Sequence, residues 1–370
     1  MSTTKAAEKI LVQGNEAVCL GAVAAGCTTF FGYPITPQNE VTEWFARELP
    51  KRDGVFVQSQ SETGSINMLF GGAATGLRVM TSTSSPGWSL MQEGMSCLAN
   101  AELPCVVVLV QRAGPGQGTT RTAQTDYLST TRGGGHGGYK TIVLAPASVQ
   151  ENCDLVQRAF YLADKYRNPV VVLTDAVIGQ MAEPLEVTTR DFGPLPEKDW
   201  AIGGKETRRD GQRRTISCGQ GQIPIEPYTS FTQLVEALDK KYTAMGLETG
   251  FESFLTDDAR LTVVAYGYTA RVAKEAVVWA RNKGLRVGLL RPTSLWPFPY
   301  GAVNELALGD SELLAVEDSL GQMVDDVRLG AEGKAPVHFL GMLARQGISD
   351  AAMILPGRVL EEIEKLYKGD

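Results

Sequence analysis

The chain has 370 residues, with 35 Lys and Arg against 42 Asp and Glu, a net charge of −7. Hydrophobic residues make up 43% and charged residues 21%, enough to bury a core and too ordinary a mixture for general disorder. The acidic balance gives the surface as a whole no electrostatic reason to hold nucleic acid or anionic lipid, and the length favours two domains.

The start, Met1 to Lys9, is polar and lacks an apolar stretch of signal-peptide length. The spacing then predicts a helix over Glu16 to Ala25 and a strand over Thr28 to Phe31. A strand over Val55 to Gln58 is followed by a helix over Glu62 to Ala74, and a strand over Val79 to Thr83 by a helix over Ser89 to Ala99. Cys105 to Val110 is a continuous apolar run, the pattern of a parallel strand covered on both faces. A Gly/Thr loop leads to a strand over Thr141 to Leu144. Ser148, with Glu151 three residues on, forms a capping box before a long helix. Val170 to Leu173 is the next buried strand. From Glu183 to Asp257 five prolines and the charged run Lys205 to Arg214 break the pattern, so an extended connector is expected, with one helix over Phe231 to Lys241.

Alternation resumes with strands over Leu261 to Ala265, Arg286 to Leu290, Leu313 to Val316 and Val337 to Leu340. Helices are expected over Ala270 to Asn282 and Met323 to Leu329, and a last one opens at Pro356, where Pro is favoured at the first helical position. Two α/β domains follow, residues 1–190 and 255–370 with the connector 191–254 between them; the first should be a mostly parallel sheet with helices on both faces. The longest apolar runs are strand-sized, so no membrane insertion is expected and the predicted location is cytoplasmic. None of Cys19, Cys27, Cys97, Cys105, Cys153 and Cys218 forms a C-x-x-C pair, and His136 and His338 are the two histidines. A metal or iron–sulfur centre within the chain is therefore not expected, and the thiols are expected reduced in the core.

Four segments could carry chemistry. Tyr33-Pro34-Ile35-Thr36-Pro37 ends the first strand with two φ-fixed prolines around Thr36, which is either a rigid turn or a ligand site at a strand end. Glu62 opens a helix behind Ser61, as a capping carboxylate or as a buried acid that tunes a cofactor's proton chemistry. Arg112 follows the most apolar strand and precedes Gly114-Pro115-Gly116-Gln117-Gly118. It is well placed to pair bidentately with a carboxylate or phosphate, unless the loop is simply mobile surface. Gly133 to Gly138 fits G-x-G-x-x-G but precedes a strand, so no dinucleotide site is expected; His136 within it either touches substrate or makes a local bond.

Taken together, these segments resemble the alpha-type subunit of the 2-oxoacid:ferredoxin oxidoreductases, which are thiamine diphosphate enzymes. The matching segments are Tyr33 to Pro37, Ser61-Glu62, Thr83 to Gly87, Gln92-Glu93-Gly94, Glu102-Leu103-Pro104 and Arg112 with Gly114-Pro115. In the second half they are Tyr266-Gly267, Ala270-Arg271, Leu290-Arg291-Pro292, Leu295 to Pro299 and Gly321-Gln322-Met323. Pro34 to Glu40, Gly133 to Gly137 and Asp164 to Val170 bring the chain nearest the branched-chain, 2-oxoisovalerate branch, while Gly116 to Gln124 and Gly341 to Arg345 depart from that pattern.

The resemblance implies a pyrimidine-binding domain followed by a transketolase C-terminal-like domain. It implies oxidative decarboxylation of a 2-oxoacid with coenzyme A to acyl-CoA, CO2 and reduced ferredoxin. On it, Glu62 engages the aminopyrimidine ring nitrogen of thiamine diphosphate, with Pro34, Ile35 and Gly87 lining the cofactor. Thr36 and Arg112 hold the substrate carboxylate, with His136 nearby. The chain contains no Gly-Asp-Gly segment for the diphosphate and its magnesium, and no cluster-binding cysteine set. A beta-type partner carrying magnesium and an iron–sulfur cluster, and gamma and ferredoxin-like delta subunits, are implied. The alternatives are an aryl 2-oxoacid or 2-oxoglutarate as substrate, the beta chain of an NAD-linked 2-oxoacid dehydrogenase, against which the Tyr33 to Pro37 turn argues, or a non-catalytic scaffold subunit.

Overall fold

Residues Cys105–Gln111, Cys-Val-Val-Val-Leu-Val-Gln, are buried at every position and form the middle strand of a seven-stranded sheet. The computed structural model describes residues 9–203, 216–218, 228–309, 311–347 and 352–369; the run Lys205 to Arg214, Pro224 and Pro227 lie outside them. The strands are β1 (Ile10–Gln13), β2 (Thr29–Gly32), β3 (Val55–Gln58), β4 (Val79–Ser84), β5 (Cys105–Gln111), β6 (Ile142–Leu144), β7 (Pro169–Asp175), β8 (Ala182–Leu185), β9 (Phe251–Phe254), β10 (Leu261–Val264), β11 (Val287–Pro292), β12 (Ser294–Trp296), β13 (Glu312–Val316) and β14 (Val337–Leu340).

The large sheet runs β12-β6-β7-β5-β4-β2-β3. Its strands are parallel except β12, which lies antiparallel to β6. Side chains alternate across it as strand geometry requires. Val107 and Leu109 of β5 join Val171 and Leu173 of β7 in one core, while Val106, Val108, Val170 and Val172 join another on the opposite face. Helices Glu62–Ala74 and Ser85–Asn100 cover the first face; Gly14–Ala24, Asn39–Glu48 and Val149–Tyr166 cover the second. A second sheet, β14-β13-β10-β11-β9, is parallel apart from β9. Val264, Leu290, Leu313 and Ala315 face the first core, so one hydrophobic cluster runs across both sheets. β1 and β8 form a separate antiparallel pair.

Sheet membership cuts across the segments read from the sequence. Phe251–Phe254, inside the expected connector, edges the second sheet, and Ser294–Trp296, deep in the second half, edges the first. Each is three or four residues long, too short for alternation to declare itself. Ser148 caps its helix through the Glu151 N–H at 3.1 Å, but the Glu151 carboxylate does not close the box. It accepts from the Ala147 N–H and pairs with Arg291 across the two halves at 2.7 Å. Cys19, Cys27, Cys105 and Cys153 are buried, Cys97 is half-buried and Cys218 is exposed, all as free thiols. Among the described residues, no helix is long and apolar enough to cross a membrane, and no group of three or more metal-ligating side chains occurs.

Candidate active site

Chain order in the large sheet reverses at β2. The chain passes from β2 to β3 on one side and then to β4 on the other. Such a switch point opens a crevice at the carboxyl ends of the strands. The turn after β2, the helix after β3, the helix after β4 and the residue after β5 converge there, and they carry Thr36, Glu62, Gly87 and Arg112.

Glu62 begins the helix Glu62–Ala74 and is 6% exposed. Ser61 does the capping, accepting from the Gly64 N–H at 3.2 Å. The Glu62 carboxylate is left without a hydrogen-bond partner among the described residues, at a helix N-terminus that favours its charge. Gly87 faces it. A Cβ on Gly87 would stand 2.2 Å from Thr83 Oγ1 and 2.6 Å from Glu62 Cγ and Oε1, so a bare glycine is needed for the carboxylate to lie where it does. The helix carrying Gly87 begins at Ser85, four residues before the predicted start, because Pro86 sits in its first turn.

Arg112 leaves β5 with only 8% of its surface exposed. Its Nη1 donates to the Thr36 carbonyl at 2.9 Å and its Nη2 to the Gln117 carbonyl at 2.8 Å, while Nε is buried with no partner among the described residues. Thr36 is thereby drawn to Arg112 through its backbone; its hydroxyl accepts from Asn39 Nδ2 at 3.3 Å. Buried Gln38 holds the turn, donating to the Tyr33 carbonyl and accepting from Ser82 Oγ at 2.5 Å. Pro34 is exposed and Ile35 half-buried on that turn. His136 is exposed on the glycine loop, and no described contact joins it to Glu62, Thr36 or Arg112.

Ser85, Gln117 and Asp126 also belong to this cluster and were not singled out as site residues by the sequence. The Ser85 hydroxyl bonds the Arg112 backbone and the Asp126 carboxylate. Burial pushes the Asp126 carboxyl up to about 6, against the pull of Ser85 and Arg112. Burial also lowers Arg112, while Asp126 and Glu62 act in the opposite direction. A lone aspartate in a Thr-rich loop has no periodicity to mark it.

The second sheet presses its own carboxyl edge against this region. Gln124 accepts from the Asp318 N–H at 2.9 Å and donates to the Tyr266 carbonyl at 2.8 Å. Gly267 has φ +58, and its Cβ would stand 2.7 Å from Asp175 Oδ2, so the turn leaves the Tyr268 N–H free to donate to that oxygen at 2.9 Å.

Residues 20–244 match the family model described as pyruvate flavodoxin/ferredoxin oxidoreductase, thiamine diphosphate-binding. The chain belongs to the 2-oxoacid:ferredoxin oxidoreductase family. It is an alpha-type subunit, part of an enzyme that acts as a hetero-oligomer. Residues 259–351 match the pyruvate:ferredoxin oxidoreductase core domain II. This alpha-type subunit is 48% identical over 326 residues to a ketoisovalerate oxidoreductase subunit of Methanothermobacter thermautotrophicus, covering 87% of the chain and 89% of that protein. It is 38% identical over 355 residues to a 2-oxoglutarate synthase subunit of the same organism, covering 90% and 94%. Among solved structures it superposes on the 2-oxoglutarate:ferredoxin oxidoreductase of Magnetococcus marinus with a TM-score of 0.84 at 25% identity, over 97% of this chain and 65% of that one. A split-gene transketolase shares the fold, with a TM-score of 0.57 over 95% of each chain.

Proposed function

We propose that this subunit supplies the aminopyrimidine half of a thiamine diphosphate site to an enzyme that oxidatively decarboxylates a branched-chain 2-oxoacid with coenzyme A, passing the electrons to ferredoxin. The observation that carries the proposal is the buried Glu62, whose carboxylate has no hydrogen-bond partner among the described residues and lies on a bare Gly87 at the switch point. Those features fit an aminopyrimidine ring: an acid for its ring nitrogen, and a glycine where a side chain would intrude. Glu62 would hold the proton at that nitrogen. Pro34 and Ile35 would line the ring from the turn after β2.

Arg112 would take the substrate carboxylate, since its buried Nε lacks an acceptor and a carboxylate offers two. Thr36, on the turn that Arg112 grips, would hold the same carboxylate through its hydroxyl, and His136 would reach the substrate only from the loop outside. Thiamine diphosphate supplies, when bound, the electron sink for decarboxylation. The diphosphate, its magnesium and the iron–sulfur clusters are assigned to a beta-type partner and to gamma and ferredoxin-like delta subunits in a cytoplasmic complex, because the sequence holds no Gly-Asp-Gly segment and no cluster-binding cysteine set. The branched-chain assignment rests on the 48% relative and on Arg112 being, among the described residues, the one arginine or lysine bonded into the cluster; a second substrate carboxylate, as in 2-oxoglutarate, would need a second cation.

The test is anaerobic purification of the complex from its source, followed by viologen reduction with coenzyme A and a panel of 2-oxoacids. The highest kcat/KM should fall on 2-oxoisovalerate. Preference for 2-oxoglutarate or phenylglyoxylate would overturn the branched-chain assignment. A chain that purifies alone, with no partner, would overturn the shared site and favour a scaffold role.

A further inference from the structure

Arg112 is backed by a second carboxylate that the reaction does not itself require. The Ser85 hydroxyl accepts the Arg112 backbone N–H at 3.0 Å and has two acceptors within reach, the Arg112 carbonyl at 3.1 Å and an Asp126 carboxylate oxygen. A hydroxyl has one hydrogen to give. An ionised Asp126 takes it, being the charged acceptor. A protonated Asp126 carries its own hydrogen and releases that of Ser85 to the Arg112 carbonyl. Ser85 opens the helix that bears Gly87, so this hydroxyl ties the peptide of Arg112 to the element that cradles Glu62.

The geometry points to Asp126 as a positioning residue that sets how tightly Arg112 holds the carboxylate of the 2-oxoacid. This rests on the assignment of Arg112 proposed above. The charges of Asp126 and Glu62 raise the Arg112 guanidinium against the effect of its burial. An ionised Asp126 offsets the positive charge of Arg112, so an incoming carboxylate meets a weakened cation. With Asp126 neutral that offset is gone, and the same carboxylate binds more strongly.

The groups facing Asp126 are Arg112 and Gln111 from the end of β5, Ser85 from its helix, and the buried Tyr266 phenol from the end of β10, which Asp126 helps hold in its neutral form. Burial pushes the Asp126 carboxyl up to about 6, inside an ordinary assay range.

Asp126→Asn keeps an oxygen for Ser85 and removes the charge. In the purified hetero-oligomer, KM for the preferred 2-oxoacid is measured from pH 5.5 to 8.5. In parallel, calorimetry measures the Kd of 3-methylbutanoate, a carboxylate without the 2-oxo group. At pH 8 the variant should bind both roughly five- to tenfold more tightly, with kcat within about twofold, as neutralising a nearby charge at intermediate dielectric implies. Both constants in the wild type should fall toward the variant's values as pH drops through about 6. An unchanged KM in Asp126→Asn, or a KM that rises while kcat falls, would overturn the role. A wild-type Kd that does not move between pH 8 and 5.5 would do so without any variant. Arg112→Ala separates the two layers. If it leaves KM unaltered, the assignment of Arg112 itself fails. If it raises KM while Asp126→Asn is silent, only the role of Asp126 fails.

Discussion

Arg345 closes on Asp318 with two parallel bonds, Nε to Oδ1 at 2.6 Å and Nη2 to Oδ2 at 2.5 Å, and the carboxylate it holds is fully buried on the carboxyl edge of the second sheet. The same guanidinium donates to the Thr122 carbonyl, and Asp318 also accepts from the Tyr268 hydroxyl at 2.6 Å. One ion pair therefore binds the loop after β5 to the second half of the chain. Arg345→Ala leaves a buried carboxylate with only a phenol. The expected cost is about 2–3 kcal/mol, below the full range for a broken buried pair because Arg345 itself is partly exposed. Thermal unfolding of the complex checks it. A melting temperature within one degree of wild type would show that Asp318 finds another partner.

Glu62→Gln preserves size and the helix start while removing the acid. We expect kcat to fall by about 10²- to 10⁴-fold, the usual span for a lost proton-transfer group, with the hetero-oligomer intact by size-exclusion chromatography. Near-normal turnover would remove Glu62 from the chemistry.

Gly87→Ala asks whether the cradle matters independently of the acid. The added methyl meets Thr83 Oγ1 at 2.2 Å and the Glu62 side chain at 2.6 Å, so Glu62 must move. A displacement of this size at a reacting group costs on the order of 100-fold in rate. Steady-state kcat beside an unchanged elution volume measures it, and full activity would show that Glu62 tolerates the shift.

Asp175 links stability to pH. Its carboxyl is fully buried, accepts from the Ile178 and Tyr268 N–H groups, and is pushed by burial up to about 6. A carboxyl raised in the folded state resists ionisation more than in the unfolded chain. Its contribution is therefore fully present below the unfolded value near 4 and is lost as pH rises through about 6. Asp175→Asn removes that titration. The melting temperature of the variant minus that of wild type should be more positive at pH 7.5 than at pH 4.5. A difference independent of pH would show that Asp175 stays ionised throughout.

Much of the framework was legible in the residues. β3 and β14 and the helix Glu62–Ala74 match the predicted bounds, and β5 and β7 extend only slightly beyond them, because a strand covered on both faces leaves an uninterrupted apolar run. The helix Asn39–Glu48 and the strands β1, β8, β9 and β12 were not predicted. The strands are three or four residues long, and their pairing partners lie far along the chain. Within the site, Thr36, Glu62 and Arg112 stood out by type and position and Gly87 through the resemblance, while His136 is exposed on its loop. Asp126 and Ser85 act through one hydroxyl shared by segments 27 and 41 residues apart, a relation that no local pattern encodes.

The amino-acid sequence by itself determined the strand–helix alternation, the family and the residue types available for chemistry, because periodicity, capping and motif order are local properties of the chain. Only the tertiary structure decided that β12 crosses to the first sheet, that Ser61 caps its helix and leaves the Glu62 carboxylate free, and that Arg112 is held from the front by Thr36 and Gln117 and from behind by Ser85 and Asp126. Those outcomes depend on distances between elements that meet at a sheet edge, and such distances exist only after the strands have paired and their helices have packed.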